Sequence, residues 1–183
     1  MAYKRRVRHN AAIRAATGAG MMIVGIDPQK RMEIQTLLAR SFRESWTERQ
    51  FAAQMKHVIG LTPKQALAIE TQRATMLRNN VPEDQAAKML DKKTGKIIRQ
   101  RAVLIAAHER KLALNQAQRD HWLELQREHV LGPGAMWESV AKHGCCPRCA
   151  AQNGTLHNFS EQVAMPYHPN CRCEAVLRNT HQS

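Results

Sequence analysis

Apolar side chains recur at helical spacing through the first 130 residues or so of the chain. One face is defined by four residues spaced four apart: Ile34, Leu38, Phe42 and Trp46. Residues at this spacing share one side of an α-helix, which predicts a helix that buries an apolar stripe. Asp27 followed by Pro28 is a typical start for this helix, because aspartate accepts from free amides of the first turn and proline fits there.

Two further helix starts carry the Thr-x-x-Gln pattern of a capping box. Thr47 with Gln50 predicts a helix that ends near Gly60, and Thr62 with Gln65 predicts one that ends near Asn80. The third helix should bury four apolar residues: Leu67, Ile69, Met76 and Leu77.

The next segment predicts a short helix, a loop and a long helix. Pro82-Glu83-Asp84 places acidic residues where a helix N-terminus favours them, and Lys92-Lys93-Thr94-Gly95 is typical of a loop. From Lys96 to about Val130 there is no Pro or Gly, which predicts one helix of about 50 Å at about 1.5 Å per residue. The run 131–134, LGPG, ends it.

The pattern changes after residue 134. Residues 136–140 alternate loosely, as in a strand, and residues 174–177 form a second candidate strand. Asn153-Gly154 between them is typical of a tight turn.

Cysteine is confined to this C-terminal part, since all five cysteines lie between Cys145 and Cys173. The pattern is Cys146-x2-Cys149, then 18 residues, then His168-x2-Cys171-x-Cys173. Two thiols spaced as CxxC can bind one tetrahedral ion, and a second pair further along can complete the site. We therefore predict a zinc site held by Cys146, Cys149, His168 and one or both of Cys171 and Cys173.

Other interpretations of these residues remain open. A redox CxxC is expected beside a βαβ pattern, which is absent here, and a disulfide pair is a further alternative. Cys145 is interpreted as a spare thiol and His157 as a surface histidine. His108, His121 and His129 should be solvated or partly buried. Four protein ligands leave no open position for water, and no HExxH pattern occurs, so the predicted zinc is structural and the protein is not an enzyme.

The fold predicted is mainly α, with a helical body that contains one long helix, followed by a small β-containing zinc knot (α+β overall). The domains predicted are a basic N-terminal arm at 1–26, the helical body at 27–134 and a zinc-binding β-rich tail at 135–183. A short tail buries too little apolar surface to fold alone, and a metal would compensate for this.

Charge indicates anionic partners. Lys and Arg total 28 against 15 Asp and Glu, a formal net charge of +13. The arm has no acidic residue and five basic ones: Lys4, Arg5, Arg6, Arg8 and Arg14. They are predicted to contact nucleic acid or an acidic protein, although a solvated tail is the alternative. No run of 18 apolar residues occurs, so no membrane-spanning helix is expected.

Several motifs resemble the phage Mu F-type head morphogenesis, or minor head protein, domain. These are CPRC at 146–149, the Asn153-Gly154 turn and HPNCRC at 168–173, together with GLTPKQ at 60–65. The long-helix motif of the family is similar to Arg101-Ala102-x2-Ile105-Ala106 followed by Glu109 and Asn115. The chain departs from that motif at Ala107 and His108, and the acidic stretch before CPxC is replaced by residues 141–145.

The resemblance implies a virion protein of a tailed phage, inside the capsid near the portal and in the host cytoplasm during assembly. Its implied partners are the portal protein, other capsid proteins and packaged double-stranded DNA bound without sequence preference, with no small-molecule substrate. Its implied role is head assembly, with DNA packaging or delivery in some members. The alternative is a zinc-ribbon DNA-binding regulatory protein, which needs a recognition helix that the sequence does not indicate.

Overall fold

The computed structural model describes residues 10, 26–161, 165–168 and 171–178. The elements are α1 (Pro28–Arg43), α2 (Glu48–Val58), α3 (Pro63–Arg78), α4 (Glu83–Arg127), β1 (Met136–Val140), α5 (Pro147–Ala150), β2 (Leu156–His157) and β3 (Glu174–Arg178). The predicted mainly α fold, with one long helix followed by a small sheet, is confirmed. Lys4, Arg5, Arg6, Arg8 and Arg14 lie outside the described residues.

The predicted helix starts are confirmed in atomic detail. Asp27 accepts from the amide of Lys30 at 2.9 Å. Thr47 and Thr62 each form a complete capping box with the glutamine three residues on. Each box satisfies two amides that have no partner within the helix, so these starts are determined by local sequence.

Helix α4 is continuous over 45 residues, or about 68 Å. The predicted loop at residues 92–95 and the separate short helix before it are therefore wrong. One internal glycine costs a helix only about 1 kcal/mol relative to alanine, and α3 packs alongside this part of α4. Lys93 of α4 bonds to Gln72 of α3, which ties the two helices together at this point. The helix ends at Arg127, earlier than the predicted end near Val130.

Helix α3 contributes no buried residue, contrary to the prediction. Leu67 is 64% exposed and Leu77 is 39% exposed, while Ile69 and Met76 are half-buried. The physical reason is that α3 packs mainly against α4, in whose N-terminal half Ala86 and Leu90 are buried, and this leaves much of the α3 surface exposed. No helix of the described residues is long and apolar enough to cross a membrane.

Among the residues that the structure describes, two hydrophobic cores lie along α4. The first core joins α1, α2 and the middle of α4. The first two helices contribute large side chains to it: Ile34, Leu38, Phe42, Phe51 and Met55. Helix α4 contributes small ones: Ala102, Ala106, Ala113 and Ala117. The alanines allow the helices to approach closely. The second core joins the C-terminal end of α4, through Trp122, to the β-rich segment, where Trp137, Phe159 and Met165 are buried.

The sheet has the order β2-β1-β3 and is antiparallel throughout. Trp137 in the central strand pairs with His157 on one side and Leu177 on the other. Its neighbour Ser139 is also buried, so alternate residues of β1 face the second core. This small sheet supports the cysteine-bearing segments.

Candidate metal centre

The first two cysteines are positioned by the short helix α5. Cys146 is the N-cap residue of α5, and Pro147 and Cys149 both lie in its first turn. The amide of Ala150 donates to the carbonyl of Cys146 at 2.9 Å, which closes the turn. Residues three apart across a helix start lie on the same side, so the CxxC spacing brings the two thiols together.

The predicted ligands meet in two groups that share Cys149. Cys146, Cys149 and His168 form one group, and Cys149, Cys171 and Cys173 form the other. Within each group the candidate ligand atoms all lie within 4.8 Å of one another. The fold thus brings together every residue that the sequence analysis assigned to the site, over a separation of more than 20 positions. Cys145 belongs to neither group.

The distance between two of the thiols fits a tetrahedral ion, whereas the histidine lies slightly too close to them. Two thiolates at about 2.3 Å from one zinc are separated by about 3.8 Å in a tetrahedron, and Sγ of Cys149 lies 3.7 Å from Sγ of Cys171. A thiolate and an imidazole on the same ion are separated by about 3.6 Å. Nε2 of His168 lies 3.2 Å from Sγ of Cys146 and 2.9 Å from Sγ of Cys149, so the imidazole would retreat by about half an ångström. These cysteine and histidine groups could therefore hold a metal ion.

The disulfide interpretation is not supported in this structure. All five cysteines are free. A disulfide requires about 2.05 Å between the sulfurs, well below the separation of Cys149 and Cys171.

Burial sets the electrostatics of the thiols. It raises the pKa of Cys149 far above its ordinary value and also raises the pKa of Cys173. Burial acts in the same direction on Cys171, but hydrogen bonds from the backbone amides of Cys173 and Tyr167 outweigh it, so the pKa of Cys171 is lowered. The backbone amide of Cys149 similarly lowers the pKa of Cys146. Thiolates in this cluster therefore require a cation or donated hydrogen bonds to be stable.

His157 is buried, and the prediction of a surface histidine is wrong. Its ring stacks on Trp137 with centroids 4.3 Å apart, and it is only 7% exposed. His121 is buried as well, contrary to expectation. No local sequence signal marked His157, because its burial follows from pairing with Trp137 across the sheet, which only the structure shows.

His157 also links Ser139 to Glu161. Its Nε2 lies 3.2 Å from Oγ of Ser139 and its Nδ1 lies 3.3 Å from a carboxylate oxygen of Glu161. The order resembles a serine–histidine–acid triad, but Ser139 is only 1% exposed and its hydroxyl also bonds to Tyr167. A substrate carbonyl cannot reach a hydroxyl so deeply buried. The network joins β1, β2 and the following loop as internal hydrogen bonding.

The model of the family described as Phage Mu protein F like protein matches residues 32–176. The chain belongs to this family. It is a structural and morphogenesis family of phage heads. No curated protein and no solved structure matches the chain.

The family motifs named above are in contact in this member. Arg101 of α4 donates to the carbonyl of Gly60, so the GLTPKQ helix start is attached to the long-helix motif. Ala102 and Ala106 are buried in the first core, and Glu109 is 1% exposed. Asn115 donates to the carbonyl of Met165 at 3.3 Å, which attaches the same helix to the cysteine-bearing segment. The motif residues thus hold the parts of the molecule to one another.

Proposed function

We propose that this protein is a structural minor head protein of a tailed phage, located inside the capsid near the portal. Its role is head assembly, with a further role in DNA packaging or delivery, and its partners are the portal and other capsid proteins. The proposal is supported by the family match over residues 32–176, which includes the whole cysteine–histidine cluster. The match also favours this function over a zinc-ribbon DNA-binding regulator. The protein acts through contacts and takes no small-molecule substrate.

Purified virions provide the test of location. Quantitative mass spectrometry should find this chain in intact particles, in few copies per particle. Cross-linking of assembled heads should join it to the portal, and heads assembled without the portal should contain less of it. Absence of the chain from purified virions would contradict the proposal.

We propose that zinc is the ion held by Cys146, Cys149, His168 and one or both of Cys171 and Cys173. Thiolate and imidazole donors in a tetrahedral set are typical of structural zinc. The ion would cross-link the segments around the second core and so add stability that burial of a small apolar area does not provide. Elemental analysis of purified protein should find about one zinc per chain. A metal-free protein with an unchanged melting temperature would contradict this assignment.

The basic arm is proposed to bind polyanions, with Arg5, Arg6 and Arg8 as its main contacts and Lys4 and Arg14 beside them. The support is charge: the chain carries +13, and five basic residues in the first 26 have no acidic neighbour. Basic side chains that contact phosphates release counterions, so binding weakens steeply with salt. The arm therefore suits packaged DNA or an acidic surface on the portal.

A salt titration distinguishes these two partners. Replacing Arg5, Arg6 and Arg8 with glutamine should lower the log–log salt slope on duplex DNA by roughly 2.7, about 0.9 per contact. The matched control replaces Lys64, Lys96 and Arg99, which are exposed on α3 and α4, and removes the same charge. Equal slopes for both triple variants would contradict DNA binding by the arm. Hydrogen exchange on the arm, residues 1–26, with and without the portal, would then test the protein partner.

A further inference from the structure

One face of α4 is lined with hydrogen-bond donors that reach the cysteine-bearing segment. Lys111, Asn115 and Arg119 are spaced four apart, so they lie on one side of the helix. The amine of Lys111 donates to the carbonyl of Cys171 at 2.8 Å. Asn115 donates to the carbonyl of Met165 at 3.3 Å, and Arg119 to that of Glu161 at 3.2 Å. Each donor thus binds a backbone carbonyl of the segment that carries the second half of the metal site.

That segment has no regular structure of its own to place its ligands. Residues 161, 165–168 and 171–173, the described part of it, belong to no helix or strand. The amide of Cys171 donates to the carbonyl of His168 at 3.1 Å, which forms one local turn. The carbonyls of Cys171, Met165 and Glu161 would otherwise lack strand or helix partners, so side chains of α4 bind them instead. The path of this segment, and with it the direction in which Cys171 presents its thiol, thus depends on α4.

The same face of α4 brings positive charge close to the cluster. A divalent ion with three thiolates and one imidazole has a net charge of −1, and with four thiolates it has −2. Lys111 is half-buried and contacts the backbone of a proposed ligand. Arg119 is 9% exposed and lies 5.6 Å above the ring of Trp137 in the second core. The ammonium group of Lys111, at this position, offsets the negative charge of a thiolate-rich site.

We propose that Lys111, Asn115 and Arg119 are positioning residues of the metal site, which hold the 161–173 segment in the shape that binds metal. This inference rests on the metal centre put forward under the proposed function. It extends the site to a helix that contributes no ligand. Since α4 also forms the first core, the helical body and the metal site are coupled through this row of donors.

Cobalt substitution of the full-length protein tests the proposal. Bound Co²⁺ reports tetrahedral thiolate coordination by its visible absorption, and a competing chelator gives its affinity. Lys111→Met removes the ammonium group while keeping the aliphatic length, and it should weaken Co²⁺ binding by about 10- to 100-fold, as loss of an outer partner of a metal ligand does. Lys111→Arg retains a cationic donor and should restore most of the affinity. Lys96→Met is the control, because Lys96 is an exposed lysine of the same helix, outside the cysteine-bearing segment.

The outcomes separate this inference from the metal assignment. If the unaltered protein binds Co²⁺ and Lys111→Met binds it with the same affinity and spectrum, the positioning role is wrong and the metal site stands. If the unaltered protein binds neither Co²⁺ nor Zn²⁺, the metal assignment is wrong. Amide exchange in metal-free protein then tests whether Lys111 holds the segment in place. Exchange at Cys171 and its neighbours should be about tenfold faster in Lys111→Met than in Lys96→Met. Equal rates in the two variants would overturn the positioning role. Should Lys111→Met fail to fold, Asn115→Ser carries the same comparisons.

Discussion

Replacing Cys149 with serine should remove the metal and unfold the C-terminal part while the helical body stays folded. Cys149 is the one residue common to both ligand groups, so its loss removes the thiol that joins Cys146 and His168 to Cys171 and Cys173 in one site. It is also 1% exposed within the second core. Serine would bury a hydroxyl there in place of a thiol, and a buried polar group without a partner costs about 1–3 kcal/mol.

The loss of metal adds to this cost. An ion that binds only the folded state stabilises it by about 4 kcal/mol when its free concentration is a thousand times its Kd. Together the two effects reach about 5–7 kcal/mol, which equals the whole stability of many small domains. The first core contains none of the residues after 117, so α1 and α2 should stay packed on α4.

Tryptophan emission and zinc content provide the assay. Trp122 and Trp137 are buried in the second core, whereas Trp46 packs on the first. Unfolding of the C-terminal part should therefore shift the emission of two of the three tryptophans to the red, while far-UV circular dichroism retains most of its helical signal. Chelation of zinc from the unaltered protein should produce the same shift.

Cys145→Ser is the matched control. Cys145 is half-exposed and belongs to neither ligand group, although it adjoins Cys146 in sequence. This variant should retain one zinc per chain and an unchanged melting temperature. The reasoning is refuted if Cys149→Ser keeps its zinc, or if Cys145→Ser loses it.

Three further predictions concern pH, the second core and a helix start. Burial raises the pKa of Cys149 and Cys173, so each thiol must release a proton when it binds metal. Zinc affinity should therefore rise with pH, by up to about tenfold per pH unit for each proton released. A Kd that stays constant between about pH 6 and 8 would contradict this. Trp137→Ala should destabilise the C-terminal part by about 3–5 kcal/mol in denaturant titrations followed by fluorescence, whereas Val130→Ala, at a 65% exposed position, should cost under about 0.5 kcal/mol. Thr47→Ala should cost about 1 kcal/mol of unfolding free energy through its lost capping box, and a thermal melt identical to that of the unaltered protein would show that the box is dispensable.

The helix starts could be predicted from the sequence because they depend on residues close together in the chain. Thr47 and Thr62 predict helix starts because a capping box joins residues only three apart. The CxxC and HxxCxC spacings predict the candidate ligands, and the structure brings these residues into two groups that could hold a metal ion. The family motifs then connected these local features to phage heads.

Burial and long-range contacts were decided only by the tertiary structure. Leu67 has an apolar side chain but stays 64% exposed on α3, and His157 is buried because Trp137 stacks on it from another strand. The continuity of α4 through Gly95 likewise depends on the packing of α3 against it. Lys111 looks like any surface lysine in the sequence, yet it contacts a carbonyl 60 positions away. Neighbouring residues determine which hydrogen bonds a turn or a helix start can form. Whether a side chain is buried depends instead on which distant segments the whole fold packs against it.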